Sequence, residues 1–327
     1  MPATDPSAMP SPTVSVVIPS YNRARFLPAA VHSARSQTRP CLEIIVVDDG
    51  SSDNTEQVVT ALGGEVRYVR QANAGPAAAR NRGIQEARGD LVAFLDTDDR
   101  WLPEKLSRQV AIIEREPSVV LVSADMAVED DTGARWTDSN FAQRGLAALF
   151  ASLDGRPIPD APQLLLRINF INTSTVLVRR DVLLELGGFD PRLRYGEDLE
   201  LWLRIAAHHC IACEPSVQEI RVEHAANVTK SIEPMLLGYV RMAEVIREWA
   251  RDRMAIWGMD ADRYVADALT DLGYWYFTEN RFGDAGATLR RSFQEAPTGR
   301  AAAYRLAAAL PSPTIKLLRR INARWRN

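Results

Sequence analysis

Three carboxylates, Asp96, Asp98 and Asp99, follow a hydrophobic run almost at once in the segment LVAFLDTDDRWLPEKL, residues 91–106. Acids crowded at one strand end repel one another and lose hydration, so they need a cation or several hydrogen-bond donors. Oxygen donors alone suit a hard divalent ion, Mg²⁺ or Mn²⁺, usually shared with substrate phosphates. Asp99 would also serve as the N-cap of a helix over WLPEKL, with Pro103 in its first turn, but a cap needs one carboxylate and the segment supplies more.

A second acidic stretch, DDGSSDNT (48–55), is mostly explained as a turn at Gly50 and a cap for the next helix. Asp48 and Asp49 are left over, and an acid at a strand end can accept hydrogen bonds from a ribose or a base. HHCIAC (208–213) lacks a second ligand pair, so Cys210 and Cys213 read as buried thiols outside any zinc site.

The elements that position these residues follow from apolar runs alternating with helix-length segments. VSVVIP (14–19) precedes a helix near 25–36, EIIVVDD (43–49) precedes one near 54–62, and VRYVR leads through GPAAARNRGIQEA to LVAFLD. Continuous Val, Ile and Leu runs separated by helices predict an α/β domain whose mostly parallel sheet has helices on both faces. Ligands of such sheets sit at the carboxyl ends of the strands, which is where PSYN, DDGSSDNT and DTDD fall.

The chain has 327 residues, 39 basic against 42 acidic, and a net charge of −3, so no global positive field points to nucleic acid. Its three cysteines imply no disulfide framework and a reducing compartment. The start, MPATDPSAMPSPT, lacks the charged and apolar regions of a secretion signal, and residues 1–12 read as a disordered lead-in. No apolar run reaches the ~18 residues of a membrane span. A cytoplasmic protein is expected.

The segments VSVVIPSYNRARFLPAAVHSARSQT, EIIVVDDGSSDNT, NAGPAAARNRGIQEARGDLVAFLDTDD, GGFDPRLRYGEDLELWLRIA and RVEHAANVT occur in an order that resembles family 2 glycosyltransferases over residues 13–230. The resemblance implies the GT-A (nucleotide-diphospho-sugar transferase) fold and inverting, metal-dependent transfer from a nucleotide sugar. Pro19, Tyr21 and Asn22 then fall where base and ribose are held, Asp49 where an acid meets the base, and Arg80 where a basic residue assists the donor. Asp96 and Asp98 occupy the DxD positions, the first toward the nucleotide sugar and the second toward the metal, with Asp99 adjoining. Asp198, with Glu197 beside it, matches the catalytic base, and His224 a histidine that helps bind metal or diphosphate. Asp198 also suits the cap of the helix LELWLRIAAHH. GGFDPRLR lies near the acceptor region, with its phenylalanine in packing.

The implied activity moves a sugar, most often from a UDP-sugar, to a saccharide or lipid-linked acceptor in cell-surface polysaccharide synthesis. The alternatives are a nucleotidyltransferase-like enzyme, which would want a Gly-rich loop that VIPSYNRARFL lacks, and a non-catalytic nucleotide-sugar-binding protein of the same fold. The stretch 130–162 carries no signature of donor or acceptor.

Residues 231–327 read as helices. Leu272, Gly273, Phe282, Ala285, Leu289 and Pro297 are spaced like one tetratricopeptide-type hairpin. In the tail 311–327, Ile315, Leu317, Leu318, Ile321 and Trp325 take one side of a helix and Lys316, Arg319, Arg320, Arg324 and Arg326 the other. That pattern fits a peripheral helix on an anionic membrane at the inner face of the cell membrane, or docking of the apolar side on the preceding helices.

Overall fold

A computed structural model describes residues 11–64, 66–224 and 231–308. The tail 311–327, and with it the membrane reading, lies outside the described residues, as do residues 1–10 of the lead-in. The chain forms two compact units, Met1–Asn227 and Val228–Asn327.

The first unit begins with β1 (Val14–Ser20), α1 (Leu27–Arg35), β2 (Glu43–Asp48), α2 (Thr55–Leu62), β3 (Val66–Arg70), α3 (Pro76–Glu86) and β4 (Leu91–Phe94). It continues through β5 (Asp99–Trp101), α4 (Lys105–Arg115), β6 (Val119–Asp130), β7 (Arg135–Thr137), α5 (Asn140–Gln143), α6 (Ala147–Leu153) and α7 (Ala161–Arg167). A 3₁₀ turn (Thr173–Thr175), β8 (Leu177–Arg179), α8 (Arg180–Glu185), α9 (Glu197–Ala206) and β9 (Cys210–Glu223) complete it. The stretch 130–162, featureless in sequence, thus holds a short strand and helices.

The strands form one sheet in the order β3-β2-β1-β4-β8-β6-β9-β5, with β7 against β6. The parallel pairing expected from the sequence holds across β3, β2, β1 and β4. Beyond β4 the sheet is mixed, because β8 joins β4 and β6 antiparallel and β5 joins β9 antiparallel, while β6 and β9 run parallel. The chain winds from β1 outward to β2 and β3, then returns to β4 on the other side of β1. A crevice opens at such a reversal, outside the carboxyl ends of β1 and β4.

Both faces are covered, which is why the strands read as unbroken apolar runs. Val14, Val16 and Ile18 pack with Leu27, Ala30 and Val31 of α1 and with Leu106, Val110 and Ile113 of α4. On the opposite face Gly83 lets α3 lie close on β1, since a Cβ there would collide with the side chain of Val17. That contact carries Arg80, one turn earlier on α3, to the strand ends. Phe94 packs edge-on against Phe189 at 5.3 Å, and Phe189 in turn against Trp202.

The second unit contains α10 (Ile232–Ile256), α11 (Ala261–Thr278), α12 (Phe282–Glu295) and α13 (Gly299–Ala308). The hairpin α11–α12 closes on Gly273, where a Cβ would stand 2.7 Å from Leu289 Cγ, and on Thr270, whose hydroxyl is 2.8 Å from that of Ser292.

Candidate active site

Alternation along the chain after β4 sorts its acids. Asp96 and Asp98 are partly exposed while Thr97 and Asp99 are buried, so residues two apart face the crevice together. Asp99 does not cap α4, whose N-cap is Glu104; it starts β5, paired with Arg221 of β9. Its Oδ2 accepts from Ser174 Oγ at 2.6 Å, and its carboxyl faces buried Glu219. Burial, then the charges of Asp98 and Asp96, push Asp99 up to about 7. Burial likewise pushes Glu219 well above the ordinary carboxylate range, so both carboxyls of this pair are shifted toward the neutral form. Asp99 therefore belongs to the floor beneath the crevice rather than to the exposed acids.

Arg80 joins the acids after β4 to those at the start of α9. Its side chain is 7% exposed and donates to Asp96 Oδ1 and to Glu197 Oε1, both at 2.8 Å. Its guanidinium lies 5.5 Å from the centre of the Phe189 ring, and its Nε is buried without a hydrogen-bond partner. One cation thus reaches an acid 16 positions away in sequence and another 117 away. Burial alone would push its pKa down, but Asp96 and Glu197 outweigh it and hold Arg80 above the ordinary arginine value.

The helix α9 starts at Gly196, whose φ of 76° is left-handed backbone that favours glycine. Glu197 and Asp198 follow in the first turn, where acids are favoured by the helix dipole. Burial is the main cause that raises Glu197 to about 7, while Arg80 opposes it. Burial raises Asp198 too, against a hydrogen bond to its Oδ1 from Leu199 N–H at 2.7 Å. So Asp198 satisfies one helix-end N–H with one oxygen, part of the capping role, and turns Oδ2 toward Thr173 Oγ1 at 3.4 Å.

His224 closes the site where β9 ends. Its Nε2 lies 3.1 Å from Asp98 Oδ2, and its ring stacks on Phe26 at 4.7 Å, a ring that also has the Arg25 guanidinium 4.4 Å from its centre. Asp98 and His224 offer a carboxylate oxygen and an imidazole nitrogen side by side, two donors that would leave the other positions of a divalent ion to phosphate oxygens and water. No group of three or more His, Cys, Asp or Glu converges on one point among the described residues.

At the other lip, Pro19 lies in β1, Tyr21 is half exposed just beyond it, and Asn22 adopts a left-handed φ of 52°. Asn22 Oδ1 accepts from the N–H groups of Ser52 and Asp53, so this side chain clamps the loop after β1 to the loop after β2. Asp49 accepts from Gln71 Nε2 and Ala74 N–H on one oxygen and from Gly75 N–H on the other. Those bonds leave it one free lone pair at most for a base. Both residues line the crevice mainly by holding its loops.

The sequence reading missed Ser174, which donates to Asp99, accepts from Asp96 N–H at 3.0 Å, and offers its carbonyl to Trp101 Nε1 at 2.7 Å. Only the Asn172 start of NTST, an Asx-type cap, marks it in sequence. Lys105, buried beside Glu219 with its Nζ 4.2 Å from the Trp101 ring, was also unread; burial pushes it down to about 7. Of the two thiols expected to be buried only Cys213 is, against Ser123 Oγ; Cys210 is exposed, because it is the first residue of β9 and lies at the surface end of the strand.

Comparison with known proteins meets this geometry. The model of glycosyl transferase family 2 matches residues 15–187. A Rickettsia typhi protein named only as an uncharacterized glycosyltransferase is 30% identical over 241 residues, 71% of this chain and 72% of that protein. The putative teichuronic acid biosynthesis glycosyltransferase TuaG of Bacillus subtilis is 30% identical over 201 residues, 59% of this chain and 72% of TuaG. Among solved structures, S. aureus TarS 1–349 in complex with UDP-GlcNAc superposes with a TM-score of 0.65 at 18% identity, covering 94% of this chain and 92% of TarS 1–349.

Proposed function

The chain belongs to glycosyl transferase family 2, with a GT-A fold, and from that premise we propose a metal-dependent, inverting transfer from a nucleoside-diphosphate sugar to a saccharide or lipid-linked hydroxyl. The observation that carries this reading is the Arg80 bridge, which ties Asp96 to Glu197 at 2.8 Å on each side. It joins Asp96, on the side of the donor, to Glu197, the neighbour of the acid suited to an acceptor proton, Asp198. A UDP-sugar is the favoured donor, supported by the UDP and UDP-GlcNAc complexes of TarS. Cell-surface polysaccharide synthesis is supported by the teichuronic acid role named for TuaG.

Asp198 takes the proton of the attacking hydroxyl as the bond to the sugar forms. Its raised pKa makes it a better base than an ordinary aspartate, and Thr173 and Leu199 fix its two oxygens. Attack from one side and departure of the diphosphate from the other invert the sugar carbon, so no covalent intermediate is needed. Arg80 holds Glu197 and Asp96 in place and keeps positive charge near the developing diphosphate. Asp98 and His224 would hold the divalent ion, which when bound neutralises charge on the leaving diphosphate.

The test is release of UDP from UDP-GlcNAc with Mn²⁺, with and without a polysaccharide acceptor, for the wild type and Asp198→Asn. Acceptor-dependent turnover should fall about 10²–10⁴-fold in the variant with UDP binding intact. Equal turnover in both would remove Asp198 as the base.

A further inference from the structure

The hairpin β6–β7 carries a side chain that the proposed mechanism leaves unused. Trp136 on β7 is 60% exposed, the largest exposure of any tryptophan among the exposed large hydrophobic residues. Asp130, at the foot of the hairpin, accepts from Thr132 N–H, Thr132 Oγ1 and Ala134 N–H, so one acid shapes the turn that presents the ring. An exposed indole on a strand offers a flat apolar face, which is what a ring-stacking ligand requires.

The register brings this ring to the mouth of the crevice. β6 and β9 run parallel with Asp130 opposite Glu223, one residue before His224. β7 pairs with the same end of β6, Thr137 opposite Val128 and Arg135 opposite Glu129. Trp136 is therefore two strand spacings, about 10 Å, across the sheet from the end of β9. Glu129 ties the two regions together by accepting from Arg135 at 2.7 Å and from Arg100, beside Asp99, at 2.6 Å. A flat aromatic face on a hairpin that also carries Asp130 and Asp138 matches the alternation of apolar C–H faces and hydroxyl edges on a pyranose.

We propose that Trp136 is the platform of a saccharide subsite that binds an acceptor sugar next to the one being extended. This rests on the transfer reading above. About 10 Å from the end of β9 is one to two sugar rings, so the subsite would act on acceptor chains longer than one residue.

The experiment is affinity electrophoresis of the 327-residue protein in gels containing teichuronic acid, chitin oligomers or dextran, with UDP binding measured on the same samples. Wild type should be retarded by at least one of these saccharides. Trp136→Ala should lose that retardation about tenfold in affinity, Trp136→Phe should keep most of it, and UDP binding should be equal in all three. Equal retardation of wild type and Trp136→Ala, or no retardation of wild type in any gel, would overturn the subsite. Loss of UDP binding in the wild type would instead count against the donor reading.

Discussion

Replacing Arg80 by methionine keeps the bulk of its stem and removes the charge that faces Asp96 and Glu197. Glu197 is only 8% exposed, so its carboxylate would stay buried without a cation. Breaking a buried pair from one side costs about 3–5 kcal/mol, and since the Asp96 side chain is 33% exposed, its share is screened and the lower end applies. About 3 kcal/mol in a domain of this size lowers Tm by roughly 6–12 °C. The loss has a pH signature. Glu197 sits at about 7 in the folded chain against 4.5 unfolded, so the folded state keeps a proton that the unfolded chain has released. Stability therefore falls as pH climbs from the unfolded value through the folded one. Without Arg80 the folded value rises further, and the fall continues above pH 7. Thermal melts of wild type, Arg80→Met and Arg80→Met/Glu197→Gln from pH 6 to 9 should show a gap that widens with pH and closes by several degrees in the double variant. A variant within 2 °C of wild type at every pH would refute the bridge as the element that joins the acids.

Other consequences are open to the same kind of test. Ser174→Ala removes the link between Asp96 N–H and Asp99 and should cost about 1–3 kcal/mol, read as a lower denaturation midpoint. Gly273→Val drives a side chain into Leu289 and should destabilise the helical hairpin by about 1–3 kcal/mol, with partial recovery when Leu289 is also cut to Ala, both read by circular dichroism. Because burial raises Asp198, the acidic limb of the kcat/KM profile should lie above 3.8, the ordinary aspartate value, and a limb at or below it would contradict the environment described here.

The parallel half of the sheet was legible because β1, β2 and β4 are unbroken apolar runs, each followed by its polar loop. The other half was not. β5 spans only Asp99–Trp101, and its acid looked like a helix cap until pairing with Arg221 gave it a strand neighbour. β9 buries Glu219 completely, and nothing in the alternation of its segment marks that position. In the crevice, Asp96 and Asp98 declared themselves because they follow the apolar run of β4 within a few residues, a local pattern. Ser174 meets Asp99 across 75 residues and Arg80 meets Glu197 across 117, and no local pattern carries such pairings. Asn22 and Asp49 were placed by resemblance at the nucleotide, yet most of their hydrogen-bonding capacity goes into the loops that form the crevice.

The central claim is a donor site built from Asp98, His224 and the crevice at the ends of β1 and β4. Thermal shift with UDP, GDP, dTDP and CMP, each with and without Mn²⁺, on wild type and Asp98→Ala tests it most directly. A nucleotide at about 100 times its Kd adds ~2.7 kcal/mol, a shift of roughly 5–11 °C. The account predicts that shift for UDP with Mn²⁺ in the wild type and its loss in Asp98→Ala. No shift with any nucleotide, or an equal shift in the variant, would contradict it.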